Sequence, residues 1–354
     1  MSDTPAALPT YPLLLTPIYK EKVWGGRTLE RLGRNLPGDP DAKIGESWEL
    51  VDLAQTSASG GGGGGATSVV ANGPLAGQTL GQLIADDRAK AALMGDLPLS
   101  PEGGFPLLLK YLDASENLSV QVHPSAAYAA EHDDAFLKSE AWFIVDCEPG
   151  AAIYKGIHEG VTPDQLRAAI AQNTDDAVVP LMVSVPVRPG DCHYLPSGTC
   201  HALGGGILVA EVQTPSDTTF RVYDWGRTGR ELHVDAAMQC IDFGPADTTR
   251  FEPDTRVAEG AVRGVRRVVC EYFRIDHYEA DAGATHDVPA GETRAVMVLA
   301  GAVDVDADGA EPTPAPTGST LLIPAATRGV SLHASDDAAF LLVSFPQAGQ
   351  SQLA

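Results

Sequence analysis

The sequence predicts a mainly β protein that contains two barrel-like units, with a helical insertion in the first unit. Apolar and polar residues alternate over 118–123, which is typical of a strand with one apolar and one polar face. A Gly-x5-Pro turn signal occurs at Gly190 and again at Gly318, each time between segments rich in β-forming residues. The repeated signal indicates that a second β unit follows the first.

The chain has 354 residues, a length that fits two domains. We expect residues 1–250 to form a catalytic domain, and residues 256–354 to form a degenerate C-terminal β domain without a metal site. The turn at Gly190 leads to His201, whereas Gly329 stands at the corresponding place in the second unit. The loss of this histidine is the reason for assigning the second unit a structural role.

Two segments of the first domain are predicted to be helical, one near 79–94 and one near 163–172. In the first segment, leucine and isoleucine recur at near-helical spacing. The second begins with Thr-Pro-Asp-Gln, which combines a capping box with proline in the first turn. Six consecutive glycines fall within 56–68, and such a run has no preferred backbone conformation, so we expect a mobile surface loop there.

The formal net charge is -23, from 24 basic and 47 acidic residues. A surface with this charge repels DNA, RNA and anionic lipid, so we exclude nucleic acids and membranes as partners. An anionic small molecule would need a local cluster of cationic side chains to overcome the overall field. The net charge therefore indicates that a site for an anion would contain clustered lysines or arginines.

Three features predict a cytoplasmic protein. No stretch reaches the roughly 18 unbroken apolar residues that a membrane-spanning helix requires. No basic residues precede the first apolar segment, so a secretory signal is not expected. The five cysteines are scattered, odd in number and never in a C-x-x-C pair, which favours reduced thiols over disulfides.

Residues 190–201 contain the pattern G-D-x4-P-x-G-x2-H, which resembles the second motif of the cupin barrel, a jelly-roll fold. The resemblance implies that His201 is a metal ligand. Earlier in the chain, Ser119, Gln121 and His123 share the polar face of one predicted strand. A core strand would not bury such a face without a purpose, so we expect a site there.

Four segments in order carry a more specific likeness, namely 107–124, 138–142, 196–202 and 211–221. Together they resemble the type I mannose-6-phosphate isomerase family. The resemblance covers most of residues 12–245, and the remainder more loosely. It implies a mainly β fold of two cupin (jelly-roll) barrels with a helical insertion, and interconversion of mannose 6-phosphate and fructose 6-phosphate.

The resemblance implies one Zn²⁺ per chain, with the ligands Gln121, His123, Glu140 and His201. Arg221 matches the essential arginine of the family. The polar positions that line the family's pocket are matched by Lys110, Ser119, Lys138, Glu211 and Asp217. The sequence departs from the family at Asp52-Leu53, where many members have a histidine that could help to open the sugar ring.

Aldose–ketose isomerisation removes a proton from C2 and returns one to C1 through a cis-enediol. A carboxylate suits the proton transfer, and Glu211 and Asp217 are equal candidates. Arg221 would stabilise the negative charge of the enediol, because a guanidinium does not deprotonate. The alternative for Arg221 is a structural bridge to Asp217 or Asp224.

Substrate binding requires positive charge for the phosphate group, and Lys110 and Lys138 are the candidates for it. Trp24 precedes two glycines and is a candidate for substrate binding, at a turn that brings the backbone close to the ligand; an ordinary turn with a packed tryptophan is an equal alternative. The expected partner is therefore a small-molecule sugar phosphate. The sequence leaves the oligomeric state open.

Two other function classes remain open from the sequence. One is another metal-dependent cupin enzyme, such as an iron or manganese dioxygenase or a decarboxylase. These enzymes usually have an H-x-H motif followed closely by glutamate, whereas Gln121 replaces the first histidine here. The other is a sugar-phosphate sensor without catalysis, which would require a damaged set of site residues.

Overall fold

A computed structural model describes residues 7–54, 56–57, 59, 65–247 and 255–346. The strands found in these residues before position 230 are β1 (Leu13–Thr16), β2 (Ile18–Gly26), β3 (Ile44–Leu50), β4 (Asp52–Leu53), β5 (Ala66–Thr67), β6 (Val69–Val70), β7 (Leu108–Ala114), β8 (Val120–Val122), β9 (Glu140–Cys147), β10 (Ala152–Ile157), β11 (Met182–Pro186), β12 (Cys192–Leu195), β13 (His201–Leu203), β14 (Ile207–Gln213) and β15 (Phe220–Tyr223). The glycine run that underlies the predicted mobile loop lies at 60–65, and 60–64 are outside the described residues.

The strands that follow are β16 (Arg256–Ala258), β17 (Val262–Val269), β18 (Arg274–Ala280), β19 (Thr285–Val288), β20 (Arg294–Ala300), β21 (Ala302–Asp306), β22 (Thr313–Pro316), β23 (Thr320–Ile323), β24 (Val330–Ala334) and β25 (Ala338–Ser344). The helices are α1 (Leu80–Ala85), α2 (Asp87–Met94), α3 (Ala126–Glu131), α4 (Pro163–Gln172), α5 (Asp175–Val178) and α6 (Val234–Cys240). Short 3-10 turns cover Thr28–Leu32, Gly73–Leu75 and Val179–Leu181. No helix in the described part of the chain is long and apolar enough to cross a bilayer.

The first barrel is built from two antiparallel sheets. One has the strand order β11-β10-β13-β8-β15 and the other the order β12-β9-β14-β7-β3-β2. Apolar side chains from both sheets, among them Leu112, Ile153 and Leu203, pack together between them. This interior core supports the polar residues that point inward beside it.

The second barrel is formed by a four-stranded sheet, β19-β24-β21-β22, and an eight-stranded sheet, β16-β17-β18-β25-β20-β23-β1-β6. The eight-stranded sheet contains two strands from the beginning of the chain, because Leu13 pairs with Leu322 and Leu15 pairs with Val70. The division into 1–250 and 256–354 therefore assigns to the first domain two strands that extend the sheet of the second. It stays a prediction.

The large sheets of the two barrels pack against each other through an extensive apolar core, which includes Tyr111 and Phe143 on one side and Met297 and Leu341 on the other. A polar contact crosses the same region. Arg34 donates to Glu49 at 2.6 Å, and Thr320 donates to the same carboxylate at 3.1 Å. Because the buried Glu49 carboxylate needs both donors, these hydrogen bonds favour one packing arrangement of the two sheets.

The segment predicted to be helical near 79–94 forms two helices instead of one. Asp86 separates them, with extended backbone angles of φ -92 and ψ 118. Its carboxylate accepts hydrogen bonds from Arg88 N and Ala89 N, both at 2.9 Å, so it caps α2. The segment near 163–172 forms α4, whose capping box between Thr162 and Gln165 is complete.

Replacing Asp86 by alanine is expected to destabilise the protein by about 1 kcal/mol, because two amide groups at the start of α2 lose their acceptor. Chemical denaturation at neutral pH measures the effect. Asp96→Ala, which removes an exposed carboxylate just beyond α2, is the control and should change the free energy of unfolding little. Equal effects of the two substitutions would contradict the capping role.

The turn predicted at Trp24 is wrong. Trp24 lies within β2 and is only 4% exposed. The glycine that follows it approaches another strand rather than a ligand, since a Cβ on Gly25 would lie 2.4 Å from the backbone nitrogen of Gly45. Close strand packing therefore explains the Gly25 position, and the tryptophan ring faces the barrel interior.

Candidate metal centre and active site

Three metal-binding side chains meet inside the first barrel. His123 follows β8, Glu140 begins β9 and His201 begins β13. Their potential ligand atoms all lie within 4.8 Å of one another, and the three residues are 2%, 0% and 1% exposed. Two imidazoles and one carboxylate are a donor set that suits a divalent transition metal such as Zn²⁺.

The two histidines are oriented by hydrogen bonds on their far sides. Nδ1 of His123 lies 2.9 Å from the carbonyl oxygen of Thr218, and Nδ1 of His201 lies 2.8 Å from that of Thr199. If each Nδ1–H donates to its carbonyl, the lone pair of each Nε2 is directed at Glu140, at 3.5 Å and 3.1 Å. Backbone carbonyls orient metal-binding histidines in this way.

The buried atoms at the centre of this cluster lack hydrogen bonds. Nε2 of His123 and both carboxylate oxygens of Glu140 have no hydrogen-bond partner among the described residues. Lys138 Nζ is 2.9 Å from Glu140 Oε2, but without hydrogen-bonding geometry. Buried polar atoms without partners are costly. A cation bound between them would satisfy all three, so the residues present fit a metal ion.

Electrostatics place the ligands in the protonation states that a metal requires. Burial, with a further contribution from the charge of Lys138, lowers the pKa of His123 to about 3. Burial acts to raise the pKa of Glu140, but the charge of Lys138 and the contacts with His123 and His201 outweigh it and lower the pKa well below its usual value. At neutral pH, His123 is therefore neutral and Glu140 is ionised.

Gln121 lies next to this cluster, with Nε2 3.3 Å from Nε2 of His201. Its Oε1 accepts a hydrogen bond from Ser119 Oγ at 3.3 Å. Because the two ends of an amide are exchanged by a half turn, the carbonyl oxygen can equally face the cluster. Its role as the fourth metal ligand stays a prediction.

The backbone register explains why residues distant in sequence converge here. In the five-stranded sheet, Gln121 of β8 pairs with His201 of β13 on one side and with Arg221 of β15 on the other. The three residues form one row across the sheet. Residues directly opposite one another on adjacent strands point to the same face, so this row faces the barrel interior.

A second row lies in the six-stranded sheet. Lys110 of β7 pairs with Trp48 of β3 and with Glu211 of β14, and Glu211 in turn pairs with Trp142 of β9. The ring of Trp142 packs edge-on against the ring of His201, with 5.3 Å between their centres. The two rows therefore face each other across the interior of the barrel.

The two rows border one cavity of the first barrel. Eight residues that the sequence analysis selected line this cavity: Trp24, Lys110, Ser119, Gln121, Lys138, Glu211, Asp217 and Arg221. His123, Glu140 and His201 lie behind this lining, in contact with it through Gln121 and Lys138.

The amino-acid sequence of this chain is similar to those of known proteins. The family model described as "Phosphomannose isomerase type I, catalytic domain" matches residues 13–141. "Mannose-6-phosphate isomerase ManA" of Bacillus subtilis is 36% identical over 283 residues, which cover 78% of this chain and 82% of that relative. "Mannose-6-phosphate isomerase" of Streptococcus mutans is 39% identical over 245 residues, covering 67% of this chain and 70% of the relative.

The chain belongs to the type I phosphomannose isomerase family. The crystal structure of the mannose 6-phosphate isomerase from Bacillus subtilis has a TM-score of 0.80 and 28% identity, and covers 95% of this chain and 100% of that one. The predicted fold class, mainly β with two cupin barrels and helical segments, is confirmed. These relatives support the isomerase prediction, and they give no support to the oxygenase, decarboxylase or sensor alternatives.

In this member of the family, the two lysines selected for phosphate binding already have acidic partners. Lys110 Nζ lies 3.3 Å from Glu211, and Lys138 Nζ lies 2.9 Å from Glu140. Burial acts to lower the pKa of Lys110, but Glu211, Glu46 and Glu140 outweigh it and raise the pKa, so the lysine is charged. The positive charges of Lys110 and Lys138 are therefore balanced by carboxylates of the pocket wall in the absence of substrate.

The sequence analysis missed several residues of the pocket, namely Lys22, Glu46, Trp48, Thr219 and Arg230. Glu46 forms an ion pair with Lys22 at 3.1 Å and accepts from Trp48 Nε1 at 2.6 Å. Burial acts to raise the pKa of Glu46, but the charges of Lys22 and Lys110 lower it to about 2. The alternation of Glu46 and Trp48 along one strand face was the signal that could have found both.

Arg221 is 8% exposed and is supported by backbone rather than by a carboxylate. Its Nη1 donates to the carbonyl oxygen of Glu231 at 2.8 Å, and its Nε has no hydrogen-bond partner in the part of the chain that the structure describes. Within that part it forms no ion pair with Asp217 or Asp224. The alternative of a structural bridge is therefore not supported, and the guanidinium is free to face the pocket.

Asp52, at the place where the family often has a histidine, serves a local structural purpose. It lies in the short strand β4, and its carboxylate accepts a hydrogen bond from Phe105 N at 3.3 Å. Burial raises the pKa of this carboxyl. Asp52 does not belong to the described lining of the pocket, so the residue that opens the sugar ring has to be sought elsewhere.

Proposed function

We propose that this protein interconverts mannose 6-phosphate and fructose 6-phosphate. The observation that carries the proposal is the arrangement of one cavity. A metal-binding cluster lies behind it, and Glu211, Asp217 and Arg221 line it, in a chain of the type I phosphomannose isomerase family. The reaction needs a carboxylate that moves a proton and a fixed cation beside the developing enediol, and this cavity supplies both.

We further infer that the metal is Zn²⁺, bound by Gln121, His123, Glu140 and His201. One carboxylate among four ligands leaves the site with net positive charge, and nitrogen and oxygen donors are those that zinc prefers. When bound, the metal supplies Lewis acidity to the substrate oxygens. Lys138, 2.9 Å from Glu140, would regain a free charge toward the pocket once Glu140 is engaged by the metal.

The contacts of the two candidate bases favour Asp217 for proton transfer. Glu211 accepts a hydrogen bond from Trp142 Nε1 at 3.0 Å through Oε2, and the charge of Lys110, whose Nζ lies 3.3 Å from Oε1 without a hydrogen bond, pairs with this carboxylate. Among the described residues, the Asp217 carboxylate accepts one hydrogen bond, from Ser57 N to Oδ1 at 3.0 Å, so Oδ2 is the oxygen that would act on the substrate. Asp217 would move the proton between C2 and C1, while Glu211 fixes Lys110.

The proposal is tested with the wild-type protein by a coupled assay for fructose 6-phosphate, with mannose 6-phosphate as the substrate and glucose 6-phosphate as the comparison. Conversion of mannose 6-phosphate to fructose 6-phosphate is expected. Asp217→Asn should lose more turnover than Glu211→Gln. A folded, metal-loaded protein that does not convert mannose 6-phosphate would refute the proposed function. A larger loss of turnover in Glu211→Gln than in Asp217→Asn would refute the assignment of Asp217 as the base.

A further inference from the structure

One hydrogen bond joins the proposed base to a segment that is far away in the sequence. Ser57 N donates to Oδ1 of Asp217 at 3.0 Å, across 160 positions of the chain. The two residues are buried, at 9% and 6% exposed. Ser57 falls within 56–68, the segment in which the sequence predicts a mobile surface loop. It nevertheless lies against the pocket, because Asp217 belongs to the pocket lining.

A short hairpin holds the two ends of this segment together. Leu53 of β4 pairs with Ala66 of β5. Just outside these strands, Ser68 N donates to the carbonyl oxygen of Val51 at 2.7 Å, and Val51 N donates to Ser68 Oγ at 2.9 Å. The two ends are therefore fixed beside each other, and Ser57 comes shortly after the first of them.

Apolar packing attaches this hairpin to the wall of the pocket. Leu53, at 4% exposed, belongs to a buried cluster with Trp48, Val51 and Leu108. Trp48 lines the pocket. Leu108 belongs to β7, the strand that also carries Lys110. The base of the hairpin therefore has a fixed position relative to residues that would surround the substrate.

Polar contacts fix the hairpin as well. Thr67 Oγ1 accepts a hydrogen bond from Gly81 N at 3.0 Å, and the Asp52 carboxylate accepts from Phe105 N at 3.3 Å. The lack of a side chain at Gly81 leaves room for this arrangement, since a Cβ there would lie 3.0 Å from Asp52 Oδ1. Asp52 and Thr67 pair directly across the hairpin. Both strands of the hairpin are therefore held from outside by side-chain acceptors.

The orientation of the Asp217 carboxylate matters for the proposed reaction, because one oxygen has to reach a proton at C2 and return it at C1. A backbone amide that binds the other oxygen restricts rotation of the carboxylate and keeps the reacting oxygen in place. Within the described residues, Ser57 N is the only hydrogen-bond donor to this carboxylate. Removing this amide hydrogen would leave the base without that restraint.

We propose that Ser57 is a positioning residue for Asp217, and that the hairpin formed by β4 and β5 brings its backbone amide to the base. The inference rests on the proposed function, which assigns the proton transfer to Asp217. The donor is the backbone N–H, so the role depends on the path of the chain rather than on the serine hydroxyl, whose Oγ lies 3.3 Å from Ser59 Oγ. Ser57 acts on turnover only through Asp217.

The test compares two proline substitutions in steady-state kinetics with mannose 6-phosphate. Ser57→Pro removes the amide hydrogen, whereas Thr56→Pro places proline at the exposed position before it and is the matched control. Ser57→Pro should lower kcat about 10- to 100-fold, the cost of a slightly misplaced catalytic group, with little change in KM. Thr56→Pro should retain the wild-type kcat. Ser57→Ala keeps the amide and should lower kcat far less than Ser57→Pro.

A double-mutant cycle separates positioning from a general disturbance of the fold. In the Asp217→Asn background, Ser57→Pro should have almost no further effect on the residual kcat, because the group that it positions has already been replaced. A general loss of structure would lower kcat by the same factor in both backgrounds. If Ser57→Pro does not fold, an ester bond in place of the amide between residues 56 and 57 removes the same hydrogen without a proline ring.

Hydrogen exchange of the Ser57 amide reports the contact without turnover, and it should be faster in Asp217→Ala than in the wild type. Equal exchange rates would overturn the contact. Equal kcat values in Ser57→Pro and Thr56→Pro, or equal effects of Ser57→Pro in both backgrounds, would overturn the positioning role while wild-type turnover stands. Faster exchange in Asp217→Ala, in a protein whose metal-loaded wild type has no turnover, would refute the proposed function and leave the contact standing.

Discussion

Replacing Arg221 by alanine is expected to lower kcat by about 100- to 1,000-fold, the range found when one fixed group that stabilises developing negative charge is removed. Arg221 is 8% exposed, lines the cavity, and has an Nε without a hydrogen-bond partner among the described residues. Its guanidinium is therefore available where the enediol would form. Steady-state kinetics at saturating substrate measure the effect.

Two further variants separate charge from geometry. Arg221→Lys keeps the charge but loses the planar guanidinium whose Nη1 donates to the carbonyl oxygen of Glu231, so its kcat should fall between those of the wild type and Arg221→Ala. Arg167→Ala removes an exposed arginine, which pairs with Asp235 at 2.7 Å, and should leave kcat unchanged. Wild-type kcat in Arg221→Ala would contradict the role assigned to this residue.

Replacing His201 by alanine is expected to remove both tight metal binding and turnover. His201 supplies one of three ligand atoms that lie within 4.8 Å of one another. Loss of a group that only hydrogen-bonds to a metal ligand typically costs about 10- to 100-fold in metal affinity, so loss of the ligand itself should cost more. Metal content after dialysis and isomerase activity are measured on the same preparation.

The matched control for this variant is His277→Ala. His277 is also buried, at 8% exposed, but it packs against Phe143 with 4.7 Å between ring centres and lies outside the metal cluster. Both substitutions remove a buried imidazole and leave a comparable cavity. The control should lower stability and retain the metal. Full metal content in His201→Ala would show that the cluster is not the metal site.

Much of the candidate site could be predicted from the sequence because its residues lie in motifs with fixed spacing. Alternation along 118–123 placed Ser119, Gln121 and His123 on one strand face, and the structure brings that strand beside β13 and β15. The pairing of Gln121 with both His201 and Arg221 then follows from strand order. No local pattern encodes the strand order, which the structure shows.

Other features were not predicted, either because they depend on contacts between distant parts of the chain or because a local polar contact prevailed over the apolar spacing. Arg230 lies in a polar stretch of the sequence with no apolar spacing to place it, and in the structure it contacts the buried Asp224 and lines the pocket. Leu13 pairs with Leu322, so the first strand joins a sheet formed mainly by the last third of the chain. Asp86 ended a helix by capping the next one, although the apolar spacing continued past it.

Turnover is expected to depend on a zinc ion bound at His123, Glu140 and His201. The most direct measurement removes metal with a chelator, confirms folding by circular dichroism, and assays isomerisation before and after addition of Zn²⁺, Fe²⁺ or Mn²⁺. Activity should disappear on chelation and return with about one Zn²⁺ per chain. Full activity in the folded, metal-free protein, or recovery with iron alone, would contradict the claim.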